Sequence, residues 1–388
     1  MKKYIEQLPA FVKELEAMRE IILTNIVLTG QIPSPTFEEE ARTEFFLERL
    51  SDFQVDECST DSFGNPLGII RGTKAKKPPI FLVAHMDTFF GKHVGHNYTI
   101  KDKIISGAGI LDNTIGIGLL LSLPEILRKL ALNFESDIVI AAPIQSIGEA
   151  NLKGIRHLLT NWPGPIRGAI CVEGGELGRL SYFADSMIRA EINCNISIKD
   201  GWKRRYTPNA ILVLNEVVNQ ILQIRLPQSP RTRIIICKIA GGTKYGNIAY
   251  NAKIGFEIHS VSDKMVKEVY STIKDIVNGI VSEFEVELNL RIISNIYASN
   301  LQYNHSLVKN AIAIMKALNI KPITEPSESE LSVFLSHKIP AITIGLTNGA
   351  NYHLENAEIK IKPLFKGIAQ ILGILMSIDQ GVCDEKKK

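Results

Sequence analysis

The chain has 388 residues, 45% of them hydrophobic and 22% charged, with a formal net charge of +3. That length exceeds what one hydrophobic core usually organises and points to about two globular domains. So small a net charge gives no electrostatic reason to expect a nucleic acid or an anionic membrane as partner.

Residues 3–30 carry apolar side chains at helical spacing with charges set among them, so this segment reads as amphipathic helix and not as a signal peptide. A turn at Pro33-Ser34-Pro35 precedes a second helical stretch at 38–50. Short apolar runs of β type at 80–84, 138–142, 169–172 and 341–345 then alternate with helical segments at 114–132, 152–160 and 364–378. Buried strands alternating with helices predict an α/β domain with a mostly parallel central sheet covered by helices. The apolar stretch 115–123 is too short to cross a bilayer and contains two glycines, Gly116 and Gly118.

The middle of the chain follows another order. It is strand-like at 187–197, helix-like at 209–224, strand-like at 233–240 and 255–260, helix-like at 263–283 and strand-like at 285–293. Strand–helix–strand–strand–helix–strand is the split βαβ pattern of a ferredoxin-like α+β sandwich. Because it interrupts the first pattern, it is expected as an inserted domain at 185–296, within a discontinuous larger domain at 1–184 and 297–388. The cysteines, Cys58, Cys171, Cys194, Cys237 and Cys383, are odd in number and form no CxxC pair, which fits a reduced, cytoplasmic chain.

Five residues of metal-ligand type stand just beyond apolar runs or in the loops that follow them: His85, Asp112, Glu149, Glu173 and His353. Ligands of open α/β sheets bind outside the carboxyl ends of the strands, where these side chains can converge. Asp87 lies two residues from His85, on the same side of an extended segment, where it can accept the ring proton that His85 does not use. Taken singly, each acid is as well explained by a solvated charge or a helix cap, and each histidine by a strand end. Jointly, two histidines and three carboxylates suit a pair of zinc ions or related divalent metals. Such a pair shares a bridging carboxylate, and Asp112, short and on the tight loop from Gly107 to Asn113, is suited to that place.

These motifs together resemble the M20 metallopeptidases, the clan of peptidase T, carboxypeptidase G2, the aminoacylases and succinyl-diaminopimelate desuccinylase. The likeness runs through Ile32-Pro33-Ser34, His85-Met86-Asp87-Thr88, Gly107–Asn113, Glu149 with Gly154 five residues later, Val172-Glu173 and His353. The resemblance implies that Asp112 bridges two ions, that Glu149 and His353 complete one, and that His85 and Glu173 complete the other. Asp87 would be the catalytic-site partner of His85. It further implies hydrolysis of an amide in a small peptide or acylated amino acid, and an inserted lid through which some members form homodimers.

Three departures stand out. The family pattern Glu-Glu-x-Gly-x-x-Gly supplies its first glutamate as the base that deprotonates the metal-bridging water; here Gly148 occupies that position if Gly154 sets the register. A one-residue slip would instead make Glu149 the base and leave one metal underliganded, and Glu176 is a neighbouring acid that could substitute. The lid segment 199–205 lacks the histidine that in relatives reaches the substrate oxyanion, and offers Arg204 and Arg205 instead. Finally, His259 stands roughly where relatives carry an arginine that clamps the substrate carboxylate, a weaker and pH-dependent replacement. The loop 326–330 sits where the family has a substrate loop; Ser327 and Ser329 either contact ligand or cap the helix that follows. Two functional expectations result: a metal-dependent hydrolase of peptide or N-acyl amino acid bonds, or an impaired relative that binds metal and a small peptide or metabolite without efficient turnover.

Overall fold

The computed structural model describes residues 2–74, 76–196, 208–284 and 286–384. The chain divides into two compact units, Met1–Ala184 with Asn300–Lys388, and Asp185–Ser299.

In the first unit, seven strands lie in the order Glu57–Thr60, Pro66–Ile70, Ile138–Ala141, Ile80–Val83, Gly168–Glu173, Ala341–Gly345 and Leu180–Ser181. The four strands from Ile138–Ala141 to Ala341–Gly345 are mutually parallel, and the three outer ones run antiparallel to their neighbours. The sheet is therefore mixed, with a parallel centre. Ile80–Val83, Ile138–Ala141 and Ala341–Gly345 are buried along their whole length, which is why they read as unbroken apolar runs. The antiparallel edges carry no such signal: Glu57–Thr60 is largely exposed, and Leu180–Ser181 is only two residues long.

The N-terminal helical pattern breaks at Met18 into Lys2–Ala17 and Arg19–Gly30. The second of these packs on helix Ile115–Lys129 at Gly118, where a Cβ would stand 2.4 Å from Ile26 Cγ1 and 2.9 Å from Ile26 Cα. The stretch Ile110–Lys129 and the helix Ile361–Asp379 are long and apolar enough to cross a membrane. Yet 89% and 78% of their most apolar windows are buried inside the protein, so core packing accounts for their composition. The apolar segment is longer than its 115–123 heart suggests because the helix continues to Lys129.

The second unit is a four-stranded antiparallel sheet in the order Thr232–Gly241, Asn251–Ser260, Ser186–Asn195 and Glu287–Ile296. Helices Ala210–Leu222 and Asp263–Phe284 cover it, burying Val213, Val217, Ile273 and Val277 against Ile188, Ile192, Phe256 and Ile258. Second, third, first, fourth is the strand order of the ferredoxin-like sandwich, carried on the β-α-β-β-α-β succession.

Candidate metal centre

The strand Ile80–Val83 delivers His85 to the carboxyl edge of the parallel sheet, where it is only 5% exposed. Its Nδ1 lies 3.0 Å from the backbone oxygen of Asp87 and 3.5 Å from that residue's Oδ1. The backbone carbonyl is thus the nearer partner, which directs Nε2 into the site. The Asp87 carboxylate has further work: it accepts Thr36 Oγ1–H at 2.8 Å, Ser146 N–H at 3.0 Å and Ile147 N–H at 2.9 Å. Burial alone would raise its pKa, but His85 and these donors outweigh burial and hold it below the usual aspartate value. One buried carboxylate therefore ties together the His85 segment, the 32–36 entry and the turn leading to Gly148. Arg42 reinforces the joint by donating to Met86 O at 3.2 Å and, from Nε, to Ile32 O at 2.9 Å.

Asp112 stands on the turn Ile110–Thr114 with non-helical φ −140° and ψ 84°, immediately before helix Ile115–Lys129. Asn113 Nδ2 anchors that turn on Val172 O at 2.7 Å. Asp112 Oδ1 lies 3.0 Å from His85 Nε2, and Oδ2 lies 3.7 Å from His353 Nδ1. Each oxygen of one carboxylate thus faces a different histidine. Glu173, at the end of its strand, joins them: one ligand atom each from His85, Asp112 and Glu173 lie within 4.8 Å of one another.

The electrostatics of this group suit a cation. Burial lifts the Glu173 carboxyl to about 7, against the opposing pull of Arg179 and His85. Burial also disfavours a charged His85 ring, but hydrogen bonds to Asp112 and Asp87 hold its pKa well above the usual histidine value. Two carboxylates crowded around one imidazole repel each other, and a divalent ion would relieve that repulsion.

His353 reaches the group from the loop after the hairpin strand Gly349–Ala350, with φ 59° and a side chain 62% exposed. Its ring packs edge-on against Phe89 at 5.4 Å. Glu149 lies on the short turn Gly148–Ala150 and is not part of the three-residue group of ligand atoms. Gly148 has φ +60°, and a Cβ added there would meet nothing within 4 Å. Gly154 is the opposite case. A Cβ there would stand 2.2 Å from Ile144 O and 2.4 Å from Asn65 Oδ1, while Asn65 Nδ2 donates to Gly154 O at 3.0 Å. Gly154→Ala is accordingly expected to destabilise the fold by about 1–3 kcal/mol, measured as a lowered urea midpoint at unchanged slope.

No family profile and no curated protein sequence matches this chain. Solved structures do match it. The di-peptidase Dug1p of Saccharomyces cerevisiae superposes with a TM-score of 0.79 at 11% identity, over 96% of this chain and 99% of that one. An M20 family metallo-carboxypeptidase of Sulfolobus solfataricus gives 0.72 at 15% identity, over 92% and 99%. The YXEP protein of Bacillus subtilis, a dinuclear metal binding peptidase from the M20 family, gives 0.65 at 12% identity, over 94% and 99%. The chain has the M20 metallopeptidase fold.

Within this M20 fold, three residues that the sequence did not single out gather near Glu173. Glu330, first residue of helix Glu330–Ser336, is 2% exposed, and its Oε1 has no hydrogen-bond partner. Its charge acts on both His85 and Glu173. Arg179 and Tyr352 are the others: the Arg179 charge opposes the rise at Glu173, and burial, with the Glu173 charge beside it, pushes the Tyr352 phenol above its usual value. No sequence motif marks them, because a helix start, a loop and the approach to an edge strand bring them in. Ser329 makes no side-chain cap to the helix it precedes; its hydroxyl lies 2.9 Å from that of Ser327 instead. Glu176 is exposed. In the inserted unit, His259 is 6% exposed and its Nε2 lies 2.8 Å from Glu257 Oε2. That hydrogen bond, with Arg189 beside it, holds Glu257 at about 2. The basic turn 199–205, with Arg204 and Arg205, falls outside the described residues.

Proposed function

We propose that the protein is a metal-dependent hydrolase of amide bonds in small peptides or N-acyl amino acids. Two divalent ions, zinc first among the candidates, would be held by His85, Asp112, Glu149, Glu173 and His353. The observation that carries this reading is Asp112, whose two oxygens face His85 and His353 separately while Glu173 stands on the His85 side. That is the arrangement a bridging carboxylate requires. The dinuclear peptidase and the di-peptidase among the similar structures support the same reading. Bound divalent ions would acidify a water molecule and polarise the amide carbonyl. Asp87 keeps His85 Nε2 turned toward Asp112, and holds the turn that carries positions 148 and 149 beside it. Five cysteines without a disulfide support a reduced, cytoplasmic setting.

Gly148 supports a second reading, in which metal and a small peptide or metabolite are bound without efficient turnover. Metal analysis separates either reading from none: close to two divalent ions per chain are expected, and a protein that takes up no zinc or manganese overturns both. The loaded protein is then assayed against dipeptides, tripeptides and N-acyl amino acids. Hydrolysis supports the first reading; saturable binding without hydrolysis defeats it in favour of the second.

A further inference from the structure

Arg179 enters the edge strand Leu180–Ser181 opposite Gly345, whose N–H donates to Arg179 O at 3.2 Å. Gly345 is itself in register with Glu173 on its other side. Glu173, Gly345 and Arg179 therefore form one cross-strand row, and paired residues of a sheet project from the same face. The absent side chain of Gly345 is replaced by the returning turn: a Cβ there would meet Glu176 O at 2.2 Å and Gly175 O at 2.4 Å. Tyr352 closes over the same turn, since its hydroxyl fills the place a Cβ on Gly175 would take. A guanidinium and a phenol are thus brought to the rim of the proposed metal centre, beside Glu173.

Arg179 makes no side-chain hydrogen bond or ion pair among the described residues, and its Nε is buried without a partner. A buried donor left without an acceptor is unfavourable, so an arginine kept in this state is poised for an external acceptor. The planar fork of a guanidinium matches a carboxylate in both charge and shape. His259, the residue standing where a carboxylate clamp was expected, is engaged instead by Glu257 within its own sheet.

We propose that Arg179 binds the free carboxylate of a short peptide substrate, with the Tyr352 hydroxyl as a second donor. The word substrate rests on the hydrolase reading, but the binding itself does not. The carboxylate clamp then belongs to the unit that carries the metal centre. The phenol adds a neutral donor, and the guanidinium supplies the charge that separates a carboxylate from its amide.

The test uses a ligand pair with no peptide bond to cleave. Zinc-loaded protein is titrated calorimetrically with 4-methylpentanoate and with 4-methylpentanamide. Wild type is expected to bind the carboxylate at least tenfold more tightly than the amide. Arg179→Met should abolish that preference, Arg179→Lys should keep part of it, and Tyr352→Phe should weaken the carboxylate a fewfold. Zinc content and thermal midpoint are followed for each variant, and Arg179→Lys carries the test if Arg179→Met does not fold. Equal affinity for both ligands in wild type, or an undiminished preference in a folded Arg179→Met, overturns the proposal. If the protein also hydrolyses Gly-Leu, the loss in Arg179→Met should fall on KM more than on kcat. An absence of hydrolysis would count against the hydrolase reading and leave the titration result readable by itself.

Discussion

Asp112→Asn is expected to reduce bound metal from two ions per chain to one at most, and to lower any amide hydrolysis by about 10³-fold or more. Removing a single preorganised hydrogen-bond donor from an active site already costs about 10²–10³ in rate. Loss of the bridge does more, because the two-ion arrangement that acidifies water would be dismantled. The amide that replaces the carboxylate would still offer one oxygen, but not a second anionic one aimed at the opposite histidine. Since Oδ1 faces His85 and Oδ2 faces His353, the two sides should fail separately when the histidines are replaced. His353→Ala should release one ion and leave the one at His85 and Glu173. His85→Ala should do the reverse, with a larger cost to folding, because His85 is 5% exposed whereas the His353 side chain is 62% exposed. Metal content after dialysis measures all three. Two ions retained by Asp112→Asn would overturn the bridging role.

How far the sequence reached depended on burial. Ile80–Val83, Ile138–Ala141 and Ala341–Gly345 announce themselves because both faces of a parallel strand are covered, leaving no polar alternation to confuse the pattern. His85 beyond Ile80–Val83 and Glu173 at the end of Gly168–Glu173 were legible for the same reason, whereas Asp112 was read from its glycine-rich loop; the three come together at that edge. Leu180–Ser181 was not legible, and with it Arg179, because two residues set by hydrogen bonds to Ile323 and Gly345 leave no periodic trace. Glu330 looked like part of a polar loop, since a single acid at a helix start ordinarily interacts with the helix dipole and water. Only packing buries it. Asp87 was legible as a neighbour of His85, but its larger part, holding Ser146 and Ile147, depends on a strand some sixty residues away in sequence. The Gly154 register was readable as a motif, and its physical reason, the approach of Ile144 and Asn65, was not.

Gly148→Glu is expected to raise the rate of amide hydrolysis by about 10²–10⁴-fold, the usual contribution of a positioned general base. At about 1.4 kcal/mol per tenfold, that corresponds to about 3–5 kcal/mol of barrier. Against it stands the backbone. Gly148 has φ +60°, and a residue with a Cβ in the left-handed region costs about 1–2 kcal/mol. Space is not an obstacle, since a Cβ at this position meets nothing within 4 Å. Nor is the conformation foreign to the segment, where Gln145, Asn151 and Leu152 already hold positive φ. A strain of that size is within the stability of an ordinary domain, so the gain in rate should exceed the loss in stability. The comparison is made at saturating zinc, with the denaturation midpoint of both proteins recorded. A rise in rate assigns the missing base to position 148 and places Glu149 among the ligands. If wild type is active and Gly148→Glu is no faster, the proton is accepted elsewhere, and Glu330, buried with one carboxylate oxygen unpartnered near His85 and Glu173, becomes the next residue to replace with glutamine. Inactivity of both proteins with two ions bound would leave the binding reading standing, because neither metal nor base would then be what the site lacks.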